Sequence, residues 1–184
     1  LRGTRRGYQT RTESDGAPWY LPRVNFEVGD AVVYPAQGAG TVLDVETRDV
    51  LGERHTYLKI GFVRGGMEML VPLAKVADVG LRPAVDASEL DRLEDVLVHE
   101  EVRLPNAWPP RHRAEQEILD GGDAYALARL VGTLTLRDRE KGLASTERDL
   151  LEAAKARLTG EFAVVSGASL DDAATRLDAA LARR

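Results

Sequence analysis

The spacing of apolar residues divides the chain into two parts. Between Phe26 and Val79, apolar residues occur in short runs or at every second position, and turns that contain glycine separate them. This spacing is typical of strands with one buried face. The pattern predicts strands at residues 31–34, 41–47, 56–63 and 67–71, with 74–79 as an optional fifth. Four or five short strands joined by tight turns predict a small, strongly bent antiparallel β-barrel.

From Ser88 onward the apolar residues recur with a period of about 3.6, which predicts amphipathic helices. We expect Ser88 to cap the first helix and Asp123 to cap the third. The predicted helices cover residues 88–100, 110–120, 123–141, 145–165 and 169–181, with Ser145 or Thr146 as the cap of the fourth. The fold class is therefore α+β. It comprises a barrel domain at residues 26–80, a linker at 81–87 and a compact all-α domain at 88–184.

Residues 1–25 form a segment of a different kind. Arginines outnumber acidic residues there, and glycines and prolines interrupt any periodicity. Low apolar content and an excess of one charge are typical of disordered segments. We therefore expect a disordered basic tail.

Composition limits the chemistry that the chain can perform. The absence of Cys excludes disulfides, thiolate zinc sites and a thiol nucleophile, and it fits a reducing compartment. No apolar run approaches the length of about 20 residues that spans a bilayer. The formal net charge is −5, whereas a protein that coats DNA non-specifically is usually basic. Any contact with DNA must therefore be local, or must depend on a partner that brings the chain to DNA.

No group of residues predicts catalysis or metal binding. The turn at residues 38–40 lacks the Lys and Ser/Thr of a phosphate-binding loop and leads into a strand instead of a helix. His55, His99 and His112 lie far apart in the sequence, without metal ligands at usable spacing. The many helical Glu and Asp residues are expected on solvated faces. We expect no enzyme, no cofactor and no metal.

One short segment has unusual chemistry. Trp108, one of two tryptophans, is followed by two prolines. Pro109 predicts an extended or turn conformation for Trp108 ahead of a helix that starts at Pro110. Arg111 and Arg113 then fall in the first helical turn. A presented aromatic beside two arginines suits a wedge at a DNA base step with phosphate contacts. The alternative is that Trp108 fills a gap between helices, since Trp is usually largely buried.

Several segments together carry a resemblance to known proteins. They are FEVGDAVVYPAQG at 26–38, VP at 71–72, VGLR at 79–82, LPNAW at 104–108, RHR at 111–113 and REKGL at 139–143. In this order and spacing the chain resembles the CarD/CdnL family of bacterial transcription regulators. The resemblance covers about residues 26–180, and its first part is also similar to the polymerase-interacting module of transcription-repair coupling factors.

The resemblance implies a function for each domain. A Tudor-like N-terminal module would bind the RNA polymerase β subunit, and the helical domain would lie over promoter DNA at the upstream edge of the melted bubble. Trp108 matches the family tryptophan that wedges into the minor groove and slows bubble collapse. The remaining matches are Arg111, Arg113 and, less closely, Arg148 toward DNA, and Arg48 toward polymerase.

The resemblance also implies a monomeric cytoplasmic protein that reaches the nucleoid through RNA polymerase, with no membrane partner. One position departs from the family pattern. Leu70, just before Val71 and Pro72, stands where some relatives carry a basic residue of the polymerase interface. This change predicts a less ionic interface. The alternative function is a protein–protein interaction module that makes no direct contact with DNA.

Overall fold

The structure is a computed structural model that describes residues 26–184, and the expected basic tail lies outside this range. A five-stranded antiparallel sheet is followed by five helices, which confirms the α+β class. The elements are β1 (Ala31–Tyr34), β2 (Gly38–Val50), β3 (Glu53–Phe62), β4 (Glu68–Pro72), β5 (Arg82–Pro83), α1 (Leu90–His99), α2 (Trp108–Gly121), α3 (Ala124–Lys141), α4 (Ser145–Ser166) and α5 (Leu170–Ala182).

The sheet has the strand order β4-β3-β2-β1-β5. Its longest pairing joins β2 and β3 from Gly40 opposite Phe62 to Val50 opposite Glu53. Leu51 and Gly52 form the connecting turn, both with positive φ, as the tightest hairpin turns require. Gly40 lies in close contact with β3, since a Cβ there would be 2.6 Å from the carbonyl oxygen of Gly61.

The fifth strand is not where the sequence predicted it. Residues 74–79 form part of a 3-10 turn at Leu73–Lys75 and the turns that follow it. The fifth strand is instead Arg82–Pro83, within the predicted linker, and it pairs with β1. Two residues are too few to produce a periodic signal, and Pro83 lowers strand propensity, which explains the error.

Each domain has its own hydrophobic core. The sheet covers a cluster that includes alternate residues of β3, and the helices enclose a larger cluster rich in Leu and Ala. The sheet cluster consists of Phe26, Val32, Val42, Leu58, Ile60, Phe62, Val71 and Leu81. The centre of the helical cluster consists of Leu93, Leu97, Leu127, Leu130, Leu134, Leu158, Phe162 and Leu177. Trp108 belongs to neither cluster.

Helix starts follow the predictions in part. Asp123 caps α3, as predicted, by accepting a hydrogen bond from the backbone N–H of Ala126. Ser169, the first residue of the predicted fifth helix, caps α5 by accepting one from Asp172. Ser88 does not cap the first helix, because it lies inside a 3-10 turn at Ala87–Glu89 that is capped by Asp86. Neither Ser145 nor Thr146 caps α4, whose N-cap residue is Ala144.

The two domains are packed together through α4. Gly160 of α4 lies against β2 and its neighbouring loop, since a Cβ there would be 3.6 Å from that of Ala39 and 3.5 Å from Val63. Beside this contact, both terminal nitrogens of Arg82 donate to the carboxylate of Glu161 at 2.8 Å. The predicted linker therefore forms part of a fixed domain interface.

Candidate nucleic-acid interface

Trp108 is the first residue of α2, which starts two residues earlier than predicted. The predicted extended conformation of Trp108 is therefore wrong. The N–H groups of a first helical turn have no intrahelical partner, so Pro109 and Pro110 occupy the next positions without losing a hydrogen bond. The side chain of Trp108 keeps 39% of its surface exposed, so the interpretation of Trp108 as a core residue is also wrong.

The indole of Trp108 contacts two side chains of the next helical turn. The ring of His112 stacks on it, with centroids 5.1 Å apart and an interplanar angle of 18°. The guanidinium carbon of Arg111 lies 5.4 Å from the indole centroid. Spacings of three and four residues place side chains side by side on a helix, so these contacts require Trp108 to be helical.

Arg111 is buried rather than presented. Only 8% of the residue is exposed, its Nε donates to Oε1 of Glu147 at 2.9 Å, and its Nη1 donates to the carbonyl of Asn106 at 2.7 Å. These contacts leave little of the guanidinium free for a phosphate. A DNA contact by Arg111 stays a prediction, but in this structure its charge is directed inward.

A buried acidic residue lies beneath this group. Glu115 of α2 has no exposed surface, and neither carboxylate oxygen has a hydrogen-bond partner within residues 26–184. The nearest basic side chains are Arg111, with Nε at 3.7 Å, and His112, with Nδ1 at 3.9 Å. Burial, and next the repulsion of Glu147, raise the pKa of the Glu115 carboxyl.

Glu115 and Glu147 were not predicted as site residues, because helical acids were expected on solvated faces. The sequence contains one signal for this cluster, because Arg111 and Glu115 are spaced four residues apart and in line with the apolar Leu119. This spacing places the three side chains on one face of α2, and all three are buried. Arg137 of α3 extends the cluster, with its Nε 3.6 Å from Oε1 of Glu147. Three helices therefore converge on one small charged cluster beneath Trp108.

The other predicted DNA-contacting arginines are exposed. Arg113 lies on the surface of α2 and makes no hydrogen bond or ion pair with residues 26–184. Arg148 is in the first turn of α4, with 58% of its side chain exposed and Nη2 3.8 Å from Asp138. The Arg111–Glu147 contact brings the starts of α2 and α4 together. Trp108, Arg113 and Arg148 consequently lie in one region of the helical domain.

The two predicted polymerase-facing residues lie on one face of the sheet. Arg48 pairs with His55, and Leu70 pairs with Lys59, in the register of β2, β3 and β4. Residues 55 and 59 of β3 alternate with the buried Leu58, so this is the face turned away from the core. Arg48 is half-exposed and is held by Glu46, while Leu70 is partly buried.

No group of three or more His, Asp or Glu side chains within residues 26–184 is placed to hold a metal ion. Over the same residues, no helix is both long and apolar enough to cross a membrane.

These features describe an α+β protein of two packed domains, with an exposed tryptophan at the start of α2. The family model "CarD-like/TRCF RID domain" matches residues 26–85, and "CarD, C-terminal domain" matches residues 92–178. The chain belongs to the CarD-like family, whose members are transcription factors and not enzymes. It is a CarD-like, RNA polymerase-interacting transcription factor.

Two known proteins are similar to this chain. The chain is 28% identical over 142 residues to the "Putative transcription factor YdeB" of Bacillus subtilis (strain 168), an alignment that covers 77% of this chain and 93% of that protein. It is 30% identical to the solution structure of the 72-residue N-terminal domain of Myxococcus xanthus CarD. That match covers 38% of this chain and 93% of the CarD domain, with a TM-score of 0.29.

Proposed function

We propose that this protein binds the β subunit of RNA polymerase through the outer face of its sheet and stabilises the open promoter complex by inserting Trp108 into the minor groove at the upstream edge of the bubble. The single observation that carries the proposal is the exposure of Trp108. A large aromatic side chain stands at the start of a helix with 39% of its surface exposed, although a helical core is available. Exposed apolar wedges of this kind unstack base steps.

The charges around Trp108 are suited to hold DNA backbone. Arg113 is exposed and its side chain makes no ion pair within residues 26–184, so it is available to a phosphate. Arg148 is also exposed, but its Nη2 lies 3.8 Å from Asp138 and donates to the carbonyl of Leu143 at 3.3 Å, so a phosphate would have to compete with these exposed contacts. The whole chain carries a formal net charge of −5, which opposes binding to DNA by the free protein. Binding to polymerase removes this difficulty, since tethering makes the DNA contact effectively intramolecular.

The polymerase contact would use the face that carries Arg48 and Leu70. Leu70 makes this part of the surface apolar, while Arg48 contributes a cation at the other side of β3. We therefore expect a mixed interface in which shape and apolar contact contribute beside charge.

Stabilisation of the open complex requires only a difference in affinity between two promoter states. The protein shifts the equilibrium by its additional free energy of binding to the open state. Stacking of a base on an aromatic side chain contributes about 1–3 kcal/mol. This corresponds to a shift of about fivefold to 150-fold in favour of the open complex.

The test is the lifetime of a polymerase–promoter open complex after addition of a competitor, with wild-type protein and with Trp108→Ala. Wild type should lengthen the lifetime, and Trp108→Ala should return it to the value without the protein. The affinity for polymerase, measured in parallel, should be unchanged. Trp108→Phe is the matched control, because it keeps an aromatic wedge and should retain part of the effect.

A second function is favoured by the net negative charge, namely a protein–protein interaction module that makes no contact with DNA. In that case Trp108→Ala would bind polymerase and affect open complexes in the same way as wild type. That result would refute the wedge and leave polymerase binding as the function of the sheet.

A further inference from the structure

We infer that His112 and Arg111 form a platform that fixes the orientation of Trp108, and that the buried carboxylates of Glu115 and Glu147 hold this platform in place. The inference rests on the proposed function of Trp108 as a wedge, and it concerns how the wedge is oriented before DNA arrives. His112 and Arg111 are positioning residues in this scheme, because they act through the indole.

The first step is the stack on Trp108. The centroid distance of 5.1 Å and the interplanar angle of 18° lie in the range of offset stacking. The guanidinium of Arg111 adds a cation 5.4 Å from the indole centroid. A tryptophan at the start of a helix would otherwise change rotamer freely. The stack restricts the indole to one orientation while leaving 39% of the residue exposed.

The second step is the immobilisation of Arg111. Its hydrogen bonds to Glu147 at 2.9 Å and to the carbonyl of Asn106 at 2.7 Å connect α2 to α4 and to the segment before α2. Because Arg111 is buried, these bonds are protected from water and from salt. The cation beside the indole therefore keeps a fixed position.

The third step is the contact of Glu115 with the two platform residues. The carboxyl oxygens of Glu115 lie 3.7 Å from Nε of Arg111 and 3.9 Å from Nδ1 of His112. The Glu115 carboxyl is faced by Arg111 and His112 from α2, by Glu147 from α4 and by Arg137 from α3. It makes no hydrogen bond within residues 26–184, so Glu115 attracts the guanidinium of Arg111 and supports the imidazole by contact.

Pre-organisation has a measurable consequence. A side chain that is already ordered does not lose rotamer freedom on insertion, and such ordering costs about 0.5–1.5 kcal/mol for each side chain immobilised at an interface. This amount corresponds to about twofold to tenfold in open-complex lifetime. His112→Ala should therefore shorten the lifetime by about twofold to tenfold without changing the affinity for polymerase.

The experiment uses the full chain with Trp19→Phe, so that Trp108 is the remaining tryptophan. Fluorescence anisotropy of Trp108 reports the rigidity of the indole, and open-complex lifetime reports the function. His112→Ala should lower both. His112→Phe preserves a ring that can stack and should restore both, which a merely structural role of the imidazole would not explain. His99→Ala, at the exposed end of α1, is the matched control and should change neither.

Glu115→Gln tests the support beneath the platform, since it keeps the shape of the side chain but removes the carboxyl group that faces Arg111 at 3.7 Å. Anisotropy and lifetime should both decrease, although less than with His112→Ala. Folding of each variant is checked by circular dichroism. His112 retains 41% exposure of its side chain, so its replacement should leave the fold intact.

The outcomes separate this inference from the proposed function. If His112→Ala keeps wild-type anisotropy and lifetime while Trp108→Ala shortens the lifetime, the platform is refuted and the wedge stands. If Trp108→Ala has no effect on lifetime, the wedge fails. The anisotropy of His112→Ala then still decides whether the platform orders the indole.

Discussion

Replacement of Arg82 tests how firmly the two domains are joined. Glu161 is 1% exposed, and its carboxylate accepts three hydrogen bonds, two from Arg82 at 2.8 Å and one from the backbone N–H of Val85 at 3.0 Å. The Nε of Arg82 also donates to the carbonyl of Gly122 at 2.7 Å. Arg82→Ala would remove every contact of the guanidinium and leave Glu161 buried beside one remaining donor.

The size of the effect follows from burial. Removal of one partner of a buried ion pair costs about 3–5 kcal/mol, because the other charge stays buried without compensation. The side chain of Arg82 is 27% exposed, so water already screens part of the interaction. We therefore expect the low end of the range, about 3 kcal/mol. For a chain of this size, each kcal/mol shifts Tm by about 2–4 °C, which predicts a decrease of about 6–12 °C.

Thermal unfolding followed by circular dichroism measures this decrease. Lys155→Ala is the matched control, because Lys155 is also on α4 but pairs with the exposed Asp178 inside the helical domain. Loss of an exposed ion pair should change the free energy of unfolding by about 1 kcal/mol or less. The open-complex lifetime should also shorten with Arg82→Ala while polymerase affinity is kept. A Tm within about 2 °C of wild type, together with an unchanged lifetime, would refute the idea that the contacts of Arg82 with Glu161 and Gly122 hold the two domains together.

Three further predictions concern single positions. Burial raises the pKa of Glu115 above its unfolded value. At pH values between the two, the folded state keeps a proton that the unfolded state has lost, so the free energy of unfolding falls as pH rises from the unfolded pKa through the folded pKa. Glu115→Gln should therefore flatten the dependence of urea unfolding on pH and increase stability at neutral pH; an unchanged profile would contradict the assignment. Gly40→Ala should lower Tm, since its Cβ would lie 2.6 Å from the Gly61 carbonyl oxygen, and a wild-type Tm would show that β3 can move aside. Arg48→Glu should weaken polymerase binding in a pull-down without lowering Tm, because Arg48 is exposed; undiminished binding would remove Arg48 from the interface.

Local patterns predicted most of the fold because they produce periodic signals. β3 alternates over several residues, and α3 begins with an Asp cap and ends before a glycine, so both were found near their true bounds. β5 was missed because a two-residue strand has no period and is specified by its pairing with β1. The optional strand at residues 74–79 was wrong because apolar content alone does not provide a partner strand.

The candidate site was predictable only in part. The two prolines after Trp108 indicated an unusual segment at the start of a helix. The exposure of Arg113 and Arg148 is what is expected of arginine, which is mostly exposed in folded proteins. The burial of Arg111, Glu115 and Glu147 could not be predicted, because it arises where α2, α3 and α4 meet. Charged residues are solvated unless tertiary contacts enclose them, and those contacts depend on residues distant in sequence.

The position of α2 explains how a contact on the sheet can determine where Trp108 lies. The C-terminal end of α2 is held at the domain interface, where the carbonyl of Gly122 accepts a hydrogen bond from Arg82 and Gly122 packs against Pro35. Trp108 is at the other end of this 14-residue helix, about 20 Å away. Because a helix is a stiff element, binding of the sheet to polymerase would place the indole at a fixed distance from that contact. The Arg82–Glu161 pair, which joins β5 to α4, would then fix the direction in which the indole points.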